Sequence, residues 1–351
     1  MQELQTALRD TGDGLYEHAG QRFLLTAEVN TLFYVDGKCH QIHHLLFAPS
    51  LESAGRIAQE FGAFGSLSID GRPIGGRWQR RRHAIVVKNG RDGIAFYTDN
   101  NTFGSPIYNC TNADNARNGI YDNYLTVGLD IQNTVIARNG GHGFYQGNNG
   151  HQIVTLGYST ISGCSSGSVF GFIGNVSITL QTGMMFADPR LTSATDYHLL
   201  SSSPCVDYGT NLTSSGITQD LEGNPRTAPF DMGCYQSSFS AATRYAATFV
   251  DAAQADDSGD GSSWGTAKKT IGSGLAFTSP GGICTVASGA YPENVYMPAN
   301  TTLTGTNRNA TTISSTWFVV SQVDTNTVVS GVALTGGFRG VNITGDRSTV
   351  R

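Results

Sequence analysis

Short apolar stretches recur between residues 84 and 190 at a near-constant interval. Residues that open a strand after a Gly/Asn turn are Phe96, Ile120, Phe144 and Val169, spaced 24, 24 and 25. Ile107, Ile131 and Leu156 form a second series spaced 24 and 25, and Ile136 and Ile161 a third pair 25 apart. A fixed period of about 20 to 50 residues marks a solenoid, whose short strands bury their inward face only against neighbouring coils. The intervening stretches agree. ADNARNGI (113–120), ARNGGHGF (137–144) and SGCSSGSV (162–169) place Asn, Gly or Ser just before the next strand; Gly and Asn tolerate the positive φ that tight turns need. A leucine-rich repeat has a similar period, but its Leu-rich consensus is absent, and a β-sandwich would not need the register to recur. The pattern predicts a parallel β-helix from about residue 84.

A second run of this kind begins after Gln236. YAATFVD (245–251) reads as a strand, GDGSSWGTAKKTI (259–271) leads into a short helix, and ICTVASGAYPENV (283–295) is a buried strand and turn. Coil-like pieces follow at TTLTG (301–305), ATTISS (310–315), FVVSQV (318–323), TVVSGVALTGG (327–337) and RGVNITG (339–345). The chain is expected to stop inside a coil at STVR, leaving this solenoid, 245–351, truncated. The small polar stretch SSFSAATR (237–244) reads as a linker between two separately folding solenoid pieces, 84–236 and 245–351.

The first 76 residues show no such period. RFLLTAEVNTLF (22–33) and CHQIHHLLFAP (39–49) are strand-like, LESAGRIAQEFGAFG (51–65) is an amphipathic helix ending in Gly, and SIDGRPI (68–74) is a turn. This order predicts a small, incomplete α/β fragment. The basic cluster RWQRRRH (77–83) marks the junction with the solenoid.

Composition fits a turn-rich β protein. Gly accounts for 44 of 351 residues and only 14% are charged, below the usual quarter or so. The net charge of −5 argues against bulk attraction to nucleic acid or acidic lipid. The basic cluster lacks the interleaved aromatics of a nucleic-acid surface and reads as an exposed junction. No apolar run is long enough to span a membrane, and MQELQTALRDTGDG has neither the basic end nor the apolar core of a signal peptide. Cys39, Cys110, Cys164, Cys205, Cys234 and Cys284 show no zinc-binding spacing. Cys205 with Cys234 is the most plausible disulfide, and free buried thiols are the simpler alternative.

Three phrases carry a family resemblance: DYHLLSSSPCVDYG (196–209), DLEGNPR (220–226) and FDMGCYQ (230–236). They are similar to the closing segment of right-handed parallel β-helices of the choice-of-anchor Q type. The DGSSW…TI and V…G-x-Y-x-E-x-V phrases of 259–295 likewise resemble the opening coil of pectin-lyase-like β-helices. The resemblance implies a mainly β, right-handed parallel β-helix, exported or displayed at a cell surface. It implies a polysaccharide partner and no catalytic set. Separately, DGLYEHAGQRFLLTAEVN…QIHHLLFAP…SIDGRPI (13–74) resembles part of a PHP-type metal-dependent phosphoesterase domain of the endonuclease Q group. That resemblance implies metal ligands at Glu28 and His43, with His44 as substitute, holding Zn²⁺ or Mn²⁺ for phosphodiester hydrolysis. The family's H-x-H and D-x-H motifs have no counterpart, so Glu28 and His43 read as the remnant of a site.

Other candidate chemistry is weaker. GGHG (140–143) resembles the Gly-His-Gly of polygalacturonases, but the acids an inverting hydrolase needs are missing, since Asn133-Thr134 is followed by Val135. Asp122, Asp130 and Arg138 could lie near one face of adjacent coils as a lyase's acid and base groups, but nothing in the spacing singles them out, and they read as scattered surface charge. Asp256, Ser258 and Asp260 occupy calcium-loop spacing with Gly261, but Ala267 stands where a Glu should complete the shell. No cofactor is expected, with Ca²⁺ on the β-helix as the only alternative to the N-terminal metal.

Overall fold

The structure, a computed structural model, describes residues 84–96, 105–122, 128–147, 153–171, 177–315, 318–322, 324–337, 339–343 and 345–351, and short backbone strands before residue 83. The chain divides into two compact units, Met1–Arg82 and His83–Arg351.

In the first unit Arg9–Asp10, Leu15–His18, Gln21–Val35 and Lys38–Ala48 form an antiparallel meander. The two strand-like stretches of the sequence are thus hydrogen-bonded neighbours. The 68–74 turn is a small antiparallel pair, Ser68–Ile69 with Arg72–Pro73. The helix expected at 51–65 lies outside the described residues.

The second unit is a parallel β-solenoid. Its first stack has three ladders, each coil giving one strand to each. Ser105–Tyr108, Leu129–Gln132, Ile153–Gly157 and Ser177–Leu180 form the first. Ile85–Val87, Thr111–Ala113, Val135–Ala137 and Thr160–Ser162 form the second. Ile94–Phe96, Ile120–Asp122, His142–Gln146 and Gly167–Phe170 form the third. Ile107, Ile131, Leu156 and Leu180 are paired rung to rung and buried in one core. Ile136 pairs with Ile161, and Ile120, Phe144 and Val169 stack in the same way. The first rung of that last series is Ile94, not Phe96, which pairs instead with Asp122. The first coil carries two more residues than the next before its following strand. An offset of two preserves strand alternation, so the spacing alone could not tell Ile94 from Phe96.

The turns repeat as strictly as the strands. Asn109, Asn133 and Tyr158 hold φ of 51°, 51° and 43°, and Gly183 follows at 79°. At the other corner Lys88, Asp114, Arg138 and Gly163 hold 57°, 57°, 54° and 64°. One left-handed residue per coil at each corner bends the chain without breaking the ladder. An amide column, buried at Asn115 and Asn139, backs this corner: Asn139 Oδ1 accepts from Asn115 N (3.0 Å) and Nδ2 (2.9 Å), and Asn115 Oδ1 accepts from Asn89 Nδ2 (2.7 Å).

Residues 184–236 begin with Met184 and Phe186 packed into the core of the first stack. They run back along its flank over the second ladder, where Met185, Ala187, Leu191, Tyr197, Leu199, Val206 and Met232 cluster with Ala113, Val135 and Ala137. The strands Thr111–Ala113 and Val135–Ala137 are consequently buried on both faces.

The second stack repeats the plan. Tyr245–Val250, Thr278–Val286, Thr302–Gly305, Val328–Ser330 and Thr349–Val350 form its longest ladder, with two shorter ones beginning at Gly289–Pro292 and Val295–Tyr296. The helix Ile271–Ala276 covers its first coil; Thr270 caps it, and Glu293 accepts from Ile271 N (2.8 Å) and Gly272 N (2.9 Å). Among the described residues no strand of one stack pairs with a strand of the other. Side chains join them. Tyr296 and Phe318 belong to the core of the first stack, with Phe186 and Phe318 rings 6.2 Å apart. Tyr296 OH reaches Gln181 O (2.9 Å) and Asp324 Oδ2 (2.7 Å), and Thr182 Oγ1 donates to Asp324 Oδ1 (2.9 Å). The rings contribute more than the polar bonds: burying one is worth about 1.5–3 kcal/mol, a hydrogen bond about 0.5–1.5. The helix sits so close to the first stack that a Cβ on Gly272 would collide with Phe186 O.

Candidate functional site

Strand alternation decides which residues the first stack presents to solvent. With Ile107, Ile131 and Leu156 inward, their neighbours along the strand point outward. Asp130 becomes the hub of this polar ladder. Its Oδ2 accepts from Tyr108 OH (2.5 Å), and its Oδ1 from Gln132 Nε2 (2.9 Å) and Thr155 Oγ1 (2.9 Å). Gln132 also donates to Gln181 Oε1 (3.1 Å), two coils away. It passes over Gly157, where a Cβ would lie 2.6 Å from Gln132 Oε1. Glycine at 157 therefore lets one amide span two coil spacings.

The third ladder presents an aromatic column. Tyr121, Tyr145 and Phe170 are in register, half-buried, and stacked with centroids 5.6 and 4.9 Å apart at interplanar angles of 13° and 8°. His142 packs beside it, 5.4 Å from Tyr145 and 5.2 Å from Phe170. Burial holds its pKa below the ordinary imidazole value, so it joins the column as a neutral ring. The second ladder, beneath the flank, has no such open face. The first stack thus has one polar, one aromatic and one covered side.

The candidates expected from sequence separate on this frame. Asp122 is buried and accepts from Gln146 Nε2 (3.1 Å). Asp130 lies on the polar ladder. Arg138 sits at the corner after the second ladder, where its guanidinium forks onto Asp114 (2.8 Å at both oxygens) and faces the Tyr197 ring. Arg138 holds the Asp114 carboxyl below its ordinary value, against the opposing pull of burial. The three occupy separate ladders or corners, because the solenoid's turns carry them to different sides.

The 256–261 loop is bonded to itself. Asp256 Oδ1 accepts from Ser258 N (2.7 Å), and Asp260 Oδ1 from Ser262 N (2.9 Å) and Thr266 Oγ1 (2.6 Å). Those bonds bring the Asp260 carboxyl down to about 2. Among the described residues no three His, Cys, Asp or Glu groups could hold a metal ion. Cys205 and Cys234 are free, buried thiols, and burial raises both. In the N-terminal unit Glu28 pairs with Leu45, and His43 with Asn30. The two candidate ligands thus sit on adjacent strands, two register positions apart; of their side chains nothing further is described.

The phrases behind the family resemblance hold the flank together. Arg226, buried, donates to Asp231 O (3.2 Å), Gly233 O (2.8 Å) and Gln236 Oε1 (3.3 Å). Burial lowers its pKa to about 10. Asp220 accepts from Asn224 N (2.8 Å) and Gln236 N (2.9 Å), and Asp231 from Asp207 N (2.8 Å) and Ser237 N (2.6 Å). The Asp, Gly and Arg positions are those that tie the flank's loops to one another.

Sequence reasoning misses the aromatic column. A signal for it is present, because Tyr121, Tyr145 and Phe170 each follow a residue of the series Ile120, Phe144, Val169. No protein-family model matches this chain, and no curated protein or solved structure matches it either.

Proposed function

We propose that residues 84–351 form a non-catalytic, exported β-helix module of the choice-of-anchor Q kind that binds an extended polysaccharide along its coils. The observation that supports this reading is the polar ladder of Tyr108, Asp130, Gln132, Thr155 and Gln181, with the aromatic column on a second open side. The polar ladder repeats polar groups from coil to coil at the strand spacing of about 4.8 Å, which suits a ligand that itself repeats hydroxyl groups along its length, and the column offers stacked rings. The separation of Asp122, Asp130 and Arg138 leaves hydrolase and lyase readings without an assembled acid–base set.

Affinity electrophoresis of the full chain through gels containing neutral and acidic polysaccharides tests the proposal. Retardation by at least one glycan, weakened in Gln132→Ala and Tyr145→Ala, is the expected result. Migration unchanged across the panel overturns it. For the N-terminal unit, the two ligand positions Glu28 and His43 fall short of the three or more that catalytic metals use. Incubation with deaminated or abasic DNA and Mn²⁺ should give no cleavage. Cleavage that disappears in Glu28→Ala would establish a nuclease instead.

A further inference from the structure

His198 stands between two carboxylates from different parts of the flank. Its Nδ1 lies 2.6 Å from Asp196 Oδ1 and its Nε2 3.4 Å from Glu222 Oε1. Asp196 belongs to a hairpin closed by the Leu191–Leu199 bridge, where His198 O accepts from Thr192 N (2.8 Å). Glu222 belongs to a separate turn, closed by the Gln219–Pro225 bridge and by Asp220 N donating to Asn224 O (2.8 Å). Tyr235, from the end of the flank, stacks on the imidazole at 3.9 Å and 13°. The remaining acid nearby, Asp220, is engaged elsewhere, by Asn224 and Gln236.

A neutral imidazole has one N–H and can donate to only one of the two carboxylates, whereas the imidazolium donates to both. We propose that His198 is a pH-responsive clasp: protonated, it ties its own 191–199 hairpin to Glu222 of the 219–225 turn, and neutral, with its one N–H kept on Asp196, it lets that turn go. Partial burial opposes the charge, but Asp196 and Glu222 outweigh it and hold the His198 pKa above its ordinary value. The sign follows. The tie is complete below the unfolded imidazole value of about 6.5 and is lost as the pH rises through the raised folded value. The flank over the second ladder is therefore closed more tightly in mildly acidic surroundings than in alkaline ones.

Two measurements on the full chain test this. An NMR titration, with the His198 resonance assigned by its loss in His198→Gln, should show a midpoint above that of free imidazole, moving down in Glu222→Gln. Amide exchange, corrected for its intrinsic pH dependence, should show protection at 191–199 and 219–225 falling as the pH is raised through that midpoint. In His198→Gln and in Glu222→Gln this dependence should vanish. A midpoint at or below the free value overturns the proposal, as does a pH-dependent protection that both variants retain. Two variants are used so that misfolding of one leaves the other to decide.

Discussion

At the scale of single residues, Arg226 shows what the flank's charged positions are for. Its guanidinium serves two backbone carbonyls and one side-chain amide from a buried position. Arg226→Met would keep much of the volume but leave Asp231 O and Gly233 O without their donor. A loss of about 2–4 kcal/mol in denaturant unfolding is expected. Arg226→Lys should recover only part, because an ammonium cannot fork between the same acceptors. Glu293 gives a pH effect. Burial pushes its carboxyl up to about 7, against the pull of Ile271 N and Gly272 N. The folded state therefore holds this proton more firmly than the unfolded chain. Its contribution is complete below the unfolded value of about 4.3 and is lost as the pH rises through about 7. Melting temperatures should fall over that interval, and Glu293→Gln, which cannot ionise, should flatten the fall. Neither role is legible in the chain. A buried Arg and a surface Arg look alike in sequence, and Glu293 gains its meaning only when a turn brings it under a helix 21 and 22 residues upstream.

At the scale of elements, the inward ladders are legible in the sequence and the flank's course is not. Ile107, Ile131 and Leu156 announce themselves because inward positions of this ladder are apolar and the coil length is nearly constant. Phe96 stands in for Ile94 in the spacing because two extra residues leave the alternation intact. The phrases of 196–236 resemble a closing segment, but loops held by Asp220, Arg226 and Asp231 carry no period that points to a face. The polar ladder escapes notice for a related reason: outward positions are free to vary, so Tyr108, Gln132 and Gln181 share a column without sharing a residue type. Packing between elements makes a sharper test. A methyl group at Gly272 has no room beside Phe186 O, and backbone cannot yield as a side chain can. Gly272→Ala should lower the melting temperature by several degrees despite the higher helix propensity of Ala. An unchanged or raised value would mean that the helix and the 184–188 segment are not in contact.

At the scale of the whole molecule, the two stacks of His83–Arg351 have separate backbone ladders but adjoining side-chain cores. Residues 238–241 are exposed, with Ala241 N held by Asp207 Oδ2 (3.1 Å) and Arg244 lying over the Tyr208 ring (4.1 Å). Limited proteolysis should nick this stretch early. Because Phe186, Phe318 and Tyr296 bridge the stacks, the two fragments should co-elute in gel filtration and separate only in denaturant. Fragments that part in plain buffer would show the junction to be weaker than its ring contacts imply. The same junction sets how the two stacks answer a load. Within each stack a stretching force along the coil axis is shared by every hydrogen bond of three ladders, whereas between stacks it falls on a few ring contacts and side-chain bonds. Were the two stacks drawn apart, they would yield first at this seam, and residues 237–244 would take up the slack before any coil unwinds. The molecule has a built-in place to give way under tension.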